Sequence, residues 1–548
     1  EGSIGGAINF VPRQPNRESA SIDLLAAAGR FDTYRLGAAA SGPISGRAAY
    51  QIAAIGTQSH GLVDRGESER ASLASALAFD VTKDLTIKFS LDGTVNKPDR
   101  YFGTPLVNGK IDDRLREENY NVADSKIKYE DYWTRLQAMW RASPTLTARN
   151  ELYLLTADRH WRNVEGFEFL PASSQVRRNI YIEILHDMRQ VGNRFDLSVS
   201  NDLFGHKNRF LIGLDWSKVD FKRTSNSPFG GEESPVDAFN FDPGLFLRAD
   251  PTVPEYKTRV KQYALFAENA FNVTDSFKAL AGLRYEKLDF TRDNLIAGTS
   301  FDKKFDPLTW RVGALYALHS NTTLYAQVSR GVEALGDLVT LGLSDTEFDL
   351  TKARQYELGL KQGFLAGRAE ATVAVYDIVK EGLLTTNTLG RQLPVAQQSS
   401  RGVEAALRLA VTRTLSIEAN AAVLRAQLDD FAESVGGSLV SRNGNQPVNV
   451  PERAANLWLT HTPHAQWRWG LGARYVGKRY ADNANTIEVP AYTVLDAFVS
   501  YLPKPSLTLS LRGRNLGDRD YAVASYYTNT QLILGEPRAF ELVAEARF

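Results

Sequence analysis

The sequence predicts an all-β fold, a 22-stranded antiparallel transmembrane β-barrel with short turns at one rim and long loops at the other. Three observations carry that prediction. Apolar and polar residues alternate with a period of two in segment after segment. Short turn sequences alternate with long polar connections. No uninterrupted apolar run approaches the roughly 18 residues of a membrane-crossing helix. The 548 residues hold 64 Lys and Arg against 64 Asp and Glu, so there is no net charge. Neither a nucleic-acid footprint nor an acidic solvating tail is expected. The chain has no cysteine, which removes disulfides, thiolate metal sites and cysteine nucleophiles together.

In chain order, EGSIGGAINF (1–10) has neither a basic region nor an apolar core of signal-peptide length. The sequence is therefore expected to be truncated at its start. LTIKFSLDG then sets Leu85, Ile87, Phe89 and Leu91 opposite Thr86, Lys88, Ser90 and Asp92. GVEAALRLAV sets Val403, Ala405, Leu407 and Leu409 opposite Glu404 and Arg408. WRWGLGARY places Trp467, Trp469, Leu471, Ala473 and Tyr475 on one face, and LTLSLRGR places Leu507, Leu509 and Leu511 opposite Thr508, Ser510, Arg512 and Arg514. In FELVAEARF, Phe540, Leu542, Ala544, Ala546 and Phe548 alternate with Glu541, Val543, Glu545 and Arg547. Each is a strand with one greasy and one polar face. Trp467, Trp469, Tyr475, Tyr501 and Phe548 fall near strand ends, where a bilayer interface favours aromatic rings.

Connections set the count. Short turns are read at 41–45, 80–84, 142–145, 204–207, 272–276, 319–323, 364–367, 411–414, 462–465 and 503–505, with long connections such as 96–130, 222–257, 380–400 and 429–451 between them. Ten short turns with both chain ends on the same rim give 22 strands, provided residues 178–203 form one long strand rather than two. Soluble domains rarely carry so many long loops.

Several segments, in order, resemble the TonB-dependent outer-membrane receptors, more narrowly their siderophore-receptor group. They are EGSIGGAINFVPRQP at the start, YELGLK (356–361), SRGVEA (400–405) and VPERAANLW (450–458), then AYTVLDAFVSY, GRNLGDRDY and GEPRAF leading to Phe548. The resemblance implies that residues 1–19 are the C-terminal remnant of a plug domain and 20–548 the receptor barrel. It also implies short periplasmic turns, long extracellular loops and a place in the bacterial outer membrane. Its functional implication is uptake of a ferric siderophore, energised by the TonB complex through a plug segment. Partners implied with it are the lipid bilayer and the outer-membrane assembly machinery, which would read Phe540, Leu542 and Phe548 as a terminal signal. A receptor for another cargo such as cobalamin or an oligosaccharide stays open, as does a passive pore or orphan barrel left by a truncated gene.

Catalysis finds no motif. The seven histidines lack metal-site spacing, and no nucleotide loop or nucleophile elbow is present. No enzyme activity, cofactor or directly bound metal is expected, and Glu541 and Glu545 are read as an ion-paired wall. Candidate ligand contacts are Arg100, Tyr101 and Phe102 beyond strand five, and Trp161 and Arg162 of DRHWRN, read as a loop beyond strand seven. Tyr480, closing strand nineteen, and Tyr526, Tyr527 and Gln531 in the last loop are placed across the mouth. A bulky iron chelate needs flat aromatic surface for its scaffold and guanidinium groups for its oxygens.

Overall fold

A computed structural model describes residues 6, 11–229, 233–247, 250–333, 339–340, 349–386, 392–526 and 530–548. Twenty-two antiparallel strands close into a barrel. They are β1 (Ser21–Gly29), β2 (Thr33–Ser45), β3 (Ala48–Ser59), β4 (Ser68–Asp80), β5 (Leu85–Lys97), β6 (Lys126–Ser143), β7 (Leu146–Leu170) and β8 (Gln175–Leu203). The wall continues with β9 (His206–Ser225), β10 (Val253–Asn272), β11 (Phe277–Asn294), β12 (Leu308–His319), β13 (Thr322–Val332), β14 (Lys352–Phe364) and β15 (Ala369–Thr386). It is completed by β16 (Gln392–Ala410), β17 (Leu415–Asp430), β18 (Arg453–His464), β19 (Trp467–Val476), β20 (Tyr492–Lys504), β21 (Leu507–Arg514) and β22 (Ala539–Arg547). Each strand pairs with its neighbours in sequence, and β22 returns to β1 with Leu24 opposite Ala546. Closure leaves no unpaired edge, which is the condition for a sheet to cross hydrocarbon.

The alternation assigns the two faces. Leu36, Leu214, Val423 and Leu542 are all more than half exposed, which for large apolar side chains on one sheet face means contact with lipid. The alternate positions point into the lumen and carry charge in pairs. Arg284 lies between Asp215 and Glu286, and Arg135 meets Asp92. Glu541, nearly buried, lies 2.7 Å from Arg35 and within 3.9 Å of Arg512 and Arg514. Glu545 faces Arg512 and Arg547 faces Asp23.

Ten connections of two to four residues lie on one rim. The other rim is less uniform than strict alternation requires. Residues 171–174 form a tight turn there, because β7 and β8 stay paired for their whole outer length, Leu170 opposite Gln175. Residues 175–203 are a single strand of 29 residues. The segment 158–169, read as a loop from its polar composition, is therefore strand, its charges carried on a hairpin that rises well past the length needed to cross a bilayer. Residues 380–386 and 392–400, likewise read as a connection, extend β15 and β16. Two short segments, Ser234–Asp237 and Thr299–Phe305, widen the wall on this rim by pairing with β8 and β11.

Aromatic residues bound the apolar belt. Trp467 and Tyr501 pack with their rings tilted and their centroids 4.7 Å apart at the short-turn end, while Tyr475 lies at the other end of β19. The backbone of Phe548 exchanges hydrogen bonds with Ile22, and its ring is 66% exposed. That ring lies on the lipid side of the seam between β22 and β1 rather than in a packed core.

Candidate functional site: a vestibule at the long-loop rim

The long-loop rim is roofed by segments far apart in sequence. Residues 98–125, the outer halves of β7 and β8, residues 233–247 and the last loop share one apolar cluster containing Phe102, Tyr120, Val164, Phe167 and Tyr181. Phe102 packs at 5.6 Å from Trp161 and 5.2 Å from Tyr526. Tyr526 is thus beside Phe102, not across the mouth from it, because the last loop pairs through Gln531 and Leu532 with Thr104 and Pro105 and is tied to the outer end of β7.

Gln531, fully buried, joins three segments at once. Its Oε1 accepts from the Phe167 amide at 2.6 Å, and its Nε2 donates to the carbonyls of Phe102 and Glu165 at 2.7 and 2.8 Å. Glu165 is buried beside it and accepts from Trp161 Nε1, Asn163 Nδ2 and Tyr526 Oη. Burial raises the pKa of that carboxyl and the three donors pull it back in part. Tyr101 Oη meets Thr104 Oγ1 at 2.8 Å and accepts from the Leu534 amide; desolvation pushes its pKa up to about 12. Arg100 reaches the carbonyls of Arg65 and Ser125 and the carboxylate of Glu67.

Trp161 and Arg162, read together as a pair of contacts, lie on opposite faces of β7. Adjacent residues of a strand point to opposite sides, so Trp161 shares the lumen-side face with Tyr153, opposite Ile127. Arg162 turns to the other face and holds Asp124. Tyr480 does not close β19. It lies in a separate two-residue ladder with Glu488, Arg479–Tyr480 against Glu488–Val489. Tyr527 lies outside the described residues.

The structure adds residues that the sequence did not single out. Beneath the loop cluster, Trp133 faces the lumen opposite Asp92 and is 42% exposed. Arg135 lies over its ring at 4.8 Å, and Arg159 lies over Tyr129 at the same distance. A second group lines the inner face of β8 to β11. Arg292 is nearly buried over Tyr256 and Phe290, at 4.5 and 5.0 Å, and Arg223 pairs with buried Glu255 at 3.0 Å. His186 packs on Phe221, with its pKa lowered to about 4 by burial and the nearby Arg223. A signal for this group exists in Phe221-x-Arg223 and Phe290-x-Arg292, an aromatic and an arginine two apart at the outward ends of β9 and β11, the two strands that flank β10. Among the described residues there is no cluster of metal-ligating side chains.

At the short-turn end the segment before β1 enters the lumen. Asn16 donates its amide to Ser41 Oγ at 2.8 Å, Arg13 and Arg17 pair with Asp23 and Asp80, and Lys88 Nζ reaches Gln14 Oε1. A cavity of about 1080 Å³ opens beside it, lined in part by Arg47, Arg149, Glu151 and Asp196.

A closed barrel of this size, with a charged lumen and a roofed mouth, defines an outer-membrane transport or receptor protein. Residues 75–516 match the family described as TonB dependent receptor-like, beta-barrel, and the chain belongs to that family. It is therefore an outer-membrane protein. The chain is 23% identical to the probable TonB-dependent siderophore receptor PiuA of Acinetobacter baumannii, over 96% of this chain and 77% of that protein. It is 24% identical to the ferrichrome outer membrane transporter/phage receptor of Escherichia coli, over 100% and 76%. The crystal structure of PiuA superposes with a TM-score of 0.87 at 20% identity, covering 98% of this chain and 82% of that one. The ferric-catecholate import receptor Fiu of E. coli K12, closed form, gives 0.86 at 19%, covering 99% and 83%.

Proposed function

We propose that the protein is an outer-membrane receptor for a ferric siderophore, with its short turns in the periplasm and its long loops outside the cell. The observation that carries this reading is the lumen wall beneath the loop cluster, where Trp133 and Tyr129 are paired with Arg135 and Arg159. Flat rings accept the organic scaffold of an iron chelate, and guanidinium groups accept its anionic oxygens. The relatives named as siderophore and ferrichrome receptors support the same cargo class.

Arg100, Tyr101, Phe102, Trp161, Arg162, Tyr480, Tyr526 and Gln531 belong in this reading to the frame of the vestibule. Trp161 and Tyr526 are the members of that frame nearest the ligand. Residues 1–19 are the end of a plug domain, a reading supported by the contacts of residues 13–17 inside the lumen. Transport is energised by TonB acting on that plug. The terminal strand, with Phe540, Leu542 and Phe548 on its lipid face, is the element read by the assembly machinery.

The test is equilibrium binding of ferric hydroxamate and ferric catecholate chelates to the full-length receptor, together with iron-limited growth. Binding of neither class, with the receptor folded in the outer membrane, rejects the siderophore reading. Uptake of cobalamin or an oligosaccharide in its place assigns another cargo to the same family.

A further inference from the structure

Below the aromatic pairs of the vestibule, the lumen face of β5 to β8 carries a cation at successive two-residue steps toward the short-turn rim. Trp133 lies level with Leu155, and Arg135 with Tyr153. The next level holds Lys88, Gln137, Glu151 and Arg194 on four adjacent strands. Arg149 and then Arg141 follow. At about 3.3 Å per residue, the series descends about 20 Å from the level of Trp133 to that of Arg149.

It ends in the cavity of about 1080 Å³ beside residues 14–17, which seven cations and three carboxylates line. Asp80 is covered by Arg17, and Lys88 Nζ donates to Gln14 Oε1 at 2.9 Å. Among the described residues no carboxylate pairs with Arg47, Lys83, Arg141 or Arg149, and Asp196 stands opposite Arg149 without an ion pair. Across the bore, the short-turn halves of β14 to β17 have the reverse balance, with Glu357, Glu370, Glu404 and Glu418 against Lys361 and Arg408. A polyanion in the lumen is therefore drawn to the first wall and repelled by the second.

We propose that this cavity is a second, lower binding site for an anionic ferric chelate, which it takes over from the vestibule before release at the short-turn rim. Iron-bound carboxylate or catecholate oxygens match arginine forks and form charge-assisted contacts with them, and the cavity is large enough for a ligand of that size. Residues 14–17 form one side of the site. Displacing them takes Arg17 away and uncovers Asp80, which lowers the positive charge of the cavity and favours release. The identity of the cargo rests on the receptor reading given above, whereas the site rests on the cavity and its charge.

The chain has no cysteine, so Gly46→Cys offers an attachment point for a fluorophore at the edge of the cavity, where an added Cβ meets nothing within 4 Å. The probe is the trianionic iron(III) tris-catecholate complex, which quenches a nearby fluorophore, added to the labelled full-length receptor in neutral detergent with both rims accessible. Saturable quenching is expected, and R141Q/R149Q is expected to weaken it about tenfold. Arg17→Gln, a second variant, should weaken it in the same direction, each barrel being checked by heat-modifiable migration. Trp133→Ala, which weakens the vestibule, should leave quenching at this label in place. A receptor whose vestibule binds no chelate but whose label still responds in this way would reject the siderophore reading and keep the lower site. No quenching overturns the proposal, because the plug then fills the cavity. Quenching that R141Q/R149Q and Arg17→Gln both leave unchanged overturns it too, as does equal quenching by the neutral iron(III) tris-hydroxamate complex.

Discussion

The two sides of this barrel are built to different lengths. Strands β7 to β11 run 25, 29, 20, 20 and 18 residues, whereas β19 to β22 run 10, 13, 8 and 9. About 9 to 11 residues are enough for a tilted strand to cross the hydrocarbon, so the short side does little more than span it. The long side carries a second storey outside the membrane, still hydrogen-bonded as sheet. There the lumen-side positions are released from lining a water-filled channel. They hold the aromatic and arginine groups, Phe221 with Arg223 and Tyr256 with Arg292, and the hairpin on which the last loop rests. The short side holds the seam where the barrel closes.

The comparison breaks most visibly at that seam. Deleting Phe548 from the full-length protein removes both backbone hydrogen bonds to Ile22 and an exposed ring. Its expected effect is a large fall in the amount of receptor in the outer membrane, read by fractionation and immunoblotting. An unchanged level would show that the short side closes and assembles without it. Truncating the β7–β8 hairpin at residues 165–180 should instead leave that level near normal, since these residues lie beyond the membrane crossing.

The second storey is tested through its central tie. Gln531→Leu keeps the volume but leaves the Phe167 amide and the carbonyls of Phe102 and Glu165 without their partner. Orphaned buried polar groups cost about 1–3 kcal/mol each. The expected outcome is protease cleavage within residues 515–538 and weaker chelate binding, with the barrel itself still resistant. A barrel that loses its own heat resistance would mean that the two storeys are one cooperative unit.

Much of the wall was legible in the sequence because its signals are local. A period of two assigns each side chain to a face, and turns such as 80–84 (DVTKD) or 272–276 (NVTDS) announce themselves by Asp, Asn, Thr and Ser. The roof was not legible, for the same reason. Gln531 meets Phe167 and Phe102 across hundreds of residues, and nothing near it in sequence encodes those partners. The segment 158–169 reads as a loop although it is the outer part of β7, because outside the membrane both faces of a strand are allowed to be polar. Trp133 follows Tyr132 directly in the sequence. Only the strand register separates the ring that faces lipid from the ring that faces the lumen.

Trp133 sharpens the comparison at the level of ligand. Trp133→Ala removes the exposed lumen ring and the surface on which Arg135 lies, without touching the roof. A loss of about 1–3 kcal/mol in chelate affinity, roughly tenfold to a hundredfold, is expected if it is a contact. Tyr101→Ala with Trp161→Ala disturbs the frame instead, and should lower affinity together with loop protection. Titration of chelate binding beside hydrogen exchange of residues 98–125 separates these two kinds of loss.

The smallest expected effect is a pH dependence confined to the roof. Glu165 lies outside the membrane-crossing part of β7, and burial holds its pKa above the ordinary glutamate value of 4.5. In the window between 4.5 and that raised value, the folded roof binds more protons than the opened one. Its stability therefore falls as pH rises through the window and levels off above it. The carboxylate keeps three donors in its charged form, so the roof does not open outright. Slower exchange of the Trp161 and Asn163 amides is expected as pH is lowered into the window, after correction for intrinsic exchange rates. Glu165→Gln removes the titrating group while keeping an oxygen acceptor for Trp161, and should flatten that profile. A profile unchanged by the substitution would place the pH response elsewhere in the long side. A matching profile on the β19–β22 side would remove the distinction between the two regions in this respect.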